Sequence, residues 1–185
     1  MIKAAVCFAF MVIVVAAAKA GAAEVPEPDG YRLEDYRAPT PATLRDARVI
    51  GTDEAETIWR SHSASFVDVL PRAPRPRNLP EGTLWRDKPR VNIPGSIWLP
   101  DSGYGELAPS MAGYFAKGLE RATNGDRARL LVIYCLADCW MSWNAAKRAR
   151  SLGYSNVAWY REGTDGWLAA GLPLEDSVPE PRPGE

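Results

Sequence analysis

Two thiols four residues apart are the most reactive pair in this sequence. Cys135 directly follows the apolar run Leu130-Leu131-Val132-Ile133-Tyr134, and Cys139 precedes Trp140-Met141. A run of that length reads as a buried strand, and residues 142–152 read as a helix stopped by Gly153. The segment between them is then a strand-to-helix loop. Such a loop aims successive backbone N–H groups at its first residue, and with the helix dipole they favour an anion there. Cys135 should therefore ionise more readily than a free thiol, and the thiolate is the nucleophile. It could hold sulfane sulfur as a persulfide, attack a disulfide, or condense with a neighbouring cysteine.

Cys139 leaves three readings open: redox or persulfide chemistry shared with Cys135, a local structural disulfide, or a weak two-thiolate metal site. The spacing is not C-x-x-C, no histidine follows to complete a haem attachment motif, and His62 is the single histidine. No metal or organic cofactor is assigned. Leu136, Ala137 and Asp138 form the expected loop, with Trp140 and Met141 at its end. Trp140 and Trp143 are expected either as a hydrophobic wall for the site or a partner, or as core. Trp159 and Trp167 read as core, and His62 as exposed. Asp68 ends a β-rich run at the sheet edge that carries Cys135, where a structural role is expected.

The elements that must position this loop alternate. Arg48-Val49-Ile50, Ser65 to Val69, Ser96 to Leu99, Arg129 to Tyr134 and Val157 to Tyr160 read as strands. Helices are expected over 54–60, capped by Thr52 or Asp53, and over 111–122, 142–152 and 164–170. That alternation implies an α/β fold with a mostly parallel sheet, whose ligands bind beyond the carboxyl ends of the strands. Cys135 lies there.

The remaining segments frame this unit. Lys3 followed by apolar residues 4–18 and small residues through Ala23 reads as a cleavable secretory signal, too short to span a bilayer. The expected organisation is a signal peptide over 1–23, an extended arm over 24–44 bearing Tyr31 and Tyr36, one domain over 45–174, and a disordered tail over 175–185. Export permits a disulfide, yet a pair this close in sequence closes too small a loop to staple the domain. Without Lys3 and Lys19 the chain has a net charge of about −3, which suggests neither a nucleic-acid surface nor, after cleavage, a membrane one. The long loop 71–92 carries Arg72, Arg75, Arg77, Arg86, Lys88 and Arg90. It is expected to be a solvated variable loop, or else a docking surface whose arginines could fold over the site.

Four stretches in order resemble the rhodanese family over residues 45–174: Phe66-Val67-Asp68-Val69, Ile93-Pro94-Gly95-Ser96-Ile97, Leu130 to Cys135, and Gly153 through Trp167 to Pro173. The resemblance implies a single α/β domain with a mostly parallel five-stranded sheet flanked by helices, and sulfurtransferase-type chemistry at Cys135. Within the family, Tyr134-Cys135-Leu136-Ala137-Asp138-Cys139-Trp140 is similar to the PQQ-dependent catabolism-associated CXXCW motif proteins, with three residues rather than two between the cysteines. That implies a periplasmic accessory role beside a quinoprotein dehydrogenase or c-type cytochrome. Rhodanese loops usually carry a basic residue near their end. Trp140 and Met141 stand there, and Asp138 adds a negative charge, so an anionic donor such as thiosulfate is expected to bind poorly. The alternative is a non-catalytic binding or maturation module with Cys135–Cys139 as a structural disulfide.

Overall fold

The computed structural model describes residues 24–182, apart from 74, 75, 77 and 85–87. The expected signal peptide, with Arg75, Arg77 and Arg86 of the long loop, lies outside the described residues. The elements in chain order are β1 (Arg48–Ile50), α1 (Thr52–Arg60), β2 (Ala64–Asp68), β3 (Arg90–Asn92), β4 (Ile97–Trp98), α2 (Pro109–Thr123), β5 (Leu130–Tyr134), α3 (Trp140–Ser151), β6 (Val157–Tyr160), α4 (Gly163–Ala169) and β7 (Glu175–Ser177). Five strands form one sheet in the order β1-β6-β5-β2-β4, and every pairing in it is parallel. β5 lies at its centre, with Val132 opposite both Phe66 and Ala158.

A central parallel strand is covered on both faces, which is why β5 is apolar without alternation. On one face Val67, Leu131, Ile133, Val157 and Trp159 pack with Tyr114, Phe115 and Leu119 of α2 and with Trp143, Ala145, Ala146 and Ala149 of α3. On the other, Phe66, Val132, Tyr134, Ala158 and Tyr160 pack with Ala55 and Ile58 of α1 and Trp167 of α4. The fold is α/β, one domain, with the architecture expected from the sequence. Among the described residues, no helix is long and apolar enough to cross a membrane.

Three local expectations need correction. Gly51, not Thr52 or Asp53, holds the N-cap position of α1, so the helix starts earlier than its polar residues suggested. The helix after the cysteine loop begins at Trp140 rather than Ser142, which places Trp140 and Met141 in its buried first turn. Much of the segment expected as a disordered tail is ordered. β7 pairs antiparallel with β3, Glu180 N–H donates to the Trp98 carbonyl, Tyr114 Oη donates to the Glu180 carbonyl, and Arg182 pairs with Asp101. These contacts supply main-chain partners that the tail's polar composition does not reveal.

Candidate functional site

β5 delivers Cys135 to the carboxyl edge of the sheet, and α3 starts five residues later, at Trp140. Between them Cys135 and Cys139 are joined as a disulfide with Cα atoms 6.3 Å apart, inside the usual span for such a bond. Cys139 occupies the N-cap position of α3. Asp138 takes a left-handed conformation (φ 48°) to turn the chain, which short polar side chains tolerate best. Both cysteines are buried, at 0% and 2% exposure, whereas Asp138 is exposed.

Two of the loop amides expected to converge on the Cys135 sulfur bond elsewhere. Ala137 N–H donates to the Asp165 carboxylate at 3.0 Å, and Trp140 N–H donates to the Tyr36 carbonyl at 2.9 Å. The Cys135 carbonyl points to α4, where Thr164 N–H donates to it at 3.0 Å and Leu136 forms a bridge with Gly163. Gly163 has φ 53°, and a Cβ there would run into the Cys135 carbonyl. Glycine is what lets α4 approach the loop this closely.

The N-terminal arm closes the other side. Arg37 forms an antiparallel bridge with Cys139, and its guanidinium donates to the Ala137 carbonyl at 2.8 Å. Trp140 and Trp143, packed edge to face at 5.4 Å, donate their indole N–H groups to the carbonyls of Pro39 and Thr43. Asn144, buried in α3, accepts from Arg32 N–H and donates to the Arg32 and Gly103 carbonyls. Trp140 and Trp143 are therefore buried under the chain's own arm, not left as an open wall.

Residues 85–170 match the model of the rhodanese-like domain. The chain contains a rhodanese-like domain. No curated protein matches it. Among solved structures, a persulfide form of EanB with ergothioneine is 18% identical, with a TM-score of 0.51 over 76% of this chain and 34% of that one. A thiosulfate sulfurtransferase from Pseudomonas aeruginosa is 20% identical, with a TM-score of 0.47 over 74% of this chain and 21% of that one. The polysulfide-sulfur transferase from Wolinella succinogenes, a homodimer, is 15% identical, with a TM-score of 0.44 over 76% of this chain and 84% of that one. The chain thus spans only about a fifth of the Pseudomonas protein and a third of EanB.

Within the rhodanese-like domain, Arg90 of the long loop is bound away from the cysteine loop. Arg90 Nε donates to Asp68 at 2.7 Å, and its terminal nitrogens lie 3.4 Å from Thr164 Oγ1. Asp68 also accepts the Leu70 N–H. Burial pushes its carboxyl above the ordinary value, with Arg90 and the Leu70 amide opposing. Asp68 alternates with Val67 and Val69, which face α2 and α3, so this ion pair sits on the opposite face from the disulfide. It joins β2, the long loop and α4. Sequence reasoning missed Asp165, Arg37 and Asn144. Asp165 carries no local signal at all, whereas a basic residue in a Tyr-rich arm could have pointed to Arg37.

Proposed function

We propose that this is a periplasmic thiol protein in which Cys135 and Cys139 cycle between dithiol and disulfide. Its setting is PQQ-dependent alcohol or aldehyde catabolism, beside a quinoprotein dehydrogenase or c-type cytochrome; this rests on the sequence resemblance of the cysteine loop. The disulfide across the strand-to-helix loop of a sulfurtransferase-type fold is the observation that carries the chemistry. In the reduced protein the Cys135 thiolate takes sulfane sulfur from a small donor, whose remaining anion departs. The Cys139 thiolate then attacks the Cys135 sulfur of the persulfide, forming the disulfide and releasing hydrosulfide. An external dithiol restores both thiols.

The burial of both sulfurs favours a second reading, a binding or maturation module for a periplasmic redox enzyme with a structural disulfide. Equilibration with dithiol buffers under native conditions, followed by alkylation and mass measurement, separates the two. Exchange predicts reversible formation of two thiols at potentials above about −300 mV, the level below which structural disulfides usually lie. A disulfide that survives until the protein unfolds would select the module.

A further inference from the structure

The arm contact across the cysteine loop has the geometry of a bound strand. Arg37 and Cys139 are bridged antiparallel, and the flanking bond runs from Trp140 N–H to the Tyr36 carbonyl. This makes Arg37 and Cys139 a non-hydrogen-bonded pair, whose Cα atoms in regular antiparallel structure lie about 4.5 Å apart with side chains adjacent. Disulfides bridge Cα separations of roughly 4.4–6.8 Å. A cysteine in a strand at the place of Arg37 would therefore reach Cys139. The arm itself presents an unreactive guanidinium there, turned onto the Ala137 carbonyl.

Resting on the exchange chemistry proposed above, we infer that the arm around Arg37 occupies a peptide site, and that the reductant is a polypeptide dithiol docking as an extended strand antiparallel to Cys139. A polypeptide replaces the main-chain bond that the departing arm gives up, which a small thiol does not. The partner thiolate attacks Cys139 Sγ, a new S–S bond forms, and the Cys135–Cys139 bond breaks with Cys135 leaving as thiolate. The second partner thiol then attacks the partner's own sulfur in the mixed disulfide and frees Cys139. The partner ends as a disulfide and this chain as a dithiol, with two electrons and two protons transferred.

The test uses the mature chain with Cys135→Ser, which leaves Cys139 as its one thiol. The probe is a synthetic peptide of residues 33–41 with Arg37→Cys, activated as its thionitrobenzoate disulfide. Capture at Cys139 should run at least tenfold faster than with a permuted peptide of the same composition. Tyr36→Ala, or Arg37→Ala should that variant unfold, should speed capture of the peptide more than reaction with the small aromatic disulfide reagent alone. Equal rates for the two peptides, or equal acceleration of peptide and small reagent, would overturn the strand site. Arg37→Cys combined with Cys135→Ser in the mature chain should close a disulfide to Cys139, and failure to do so under mild oxidation overturns the register. Capture needs no native redox cycle. An irreducible native disulfide with peptide capture would sink the cycle and leave the strand site. A reducible disulfide without capture does the reverse.

Discussion

Asn144→Ala should release the arm from the cysteine loop while the domain stays folded. The side chain makes three bonds: 2.9 Å from Arg32 N–H, 2.9 Å to the Arg32 carbonyl and 3.0 Å to the Gly103 carbonyl. Two of them hold the arm. At about 1 kcal/mol net for each neutral bond, their loss weakens arm docking by about 2 kcal/mol, which is about 30-fold more opening. The freed Arg32 groups find water once the arm lifts, whereas the Gly103 carbonyl keeps no such route in the docked state. That orphaned acceptor costs a further 1–3 kcal/mol or so, felt by the whole domain. Two readings separate the effects. Hydrogen exchange at Trp140 N–H, bonded to the Tyr36 carbonyl, should speed about 30-fold under native conditions, and trypsin should cut faster after Arg37. Denaturant unfolding should show a global loss that includes the cost at the Gly103 carbonyl. If Trp140 exchange and arm cleavage stay at wild-type rates while global stability falls, Asn144 holds only the Gly103 loop and the clamp argument is wrong.

Thiosulfate sulfurtransferase activity should be weak, because the Ala137 amide is held by Asp165 and Asp138 adds a second exposed carboxylate. Asp165→Ala should raise kcat/KM for thiosulfate about tenfold, the effect of about one charge-assisted bond; an unchanged value in steady-state assay would clear Asp165 of any role. Burial raises the Tyr160 phenol to about 12 in the folded protein, so the native state keeps a proton that the unfolded chain releases near pH 10. Its stability contribution is full below about pH 10 and drains as pH climbs towards 12; denaturant melts of Tyr160→Phe should show a shallower alkaline decline and, through the lost bond to Thr52, about 1 kcal/mol less stability at pH 7. Ile133→Ala in the centre of β5, with no exposed surface to begin with, should cost about 2–5 kcal/mol by urea titration at unchanged slope. Ending the chain at Leu174 removes β7 and the bonds of Glu180, and should lower the thermal midpoint by several degrees or more.

What was legible in the sequence was whatever repeats locally. The apolar run of β5 and the polar-to-apolar alternation of elements carried the fold class, because a strand covered on both faces has nowhere to put polar residues. The cysteine loop was located by the same signal. Its surroundings were not, since each depends on a partner far along the chain. Trp140 starts α3 because the carbonyl of Tyr36 takes its N–H, and Cys139 offers no hydroxyl or carboxylate cap to announce that helix. Asp165 reaches Ala137 only because Gly163 lets α4 close in. The short strands Arg90–Asn92 and Glu175–Ser177 are too polar for a burial pattern, and their pairing shows only in three dimensions.

The two edges of the parallel sheet share a property of timing. β1 is the first strand to be synthesised, yet Arg48 pairs only with Ala158. β4 is guarded at its outer side by residues near the end of the chain, through the bridge of Trp98 with Pro179 and the bond from Glu180 N–H to the Trp98 carbonyl. A growing chain therefore carries β1 and β5 with open ladder groups until β6 emerges, and β4 until residues 179–180 follow, and unpaired edges are templates for intermolecular pairing. Premature termination just short of the tail would leave most of the core encoded but one margin unsealed. Such fragments should collect as aggregates, and Pro179 and Glu180 act as the closing stitch of the fold.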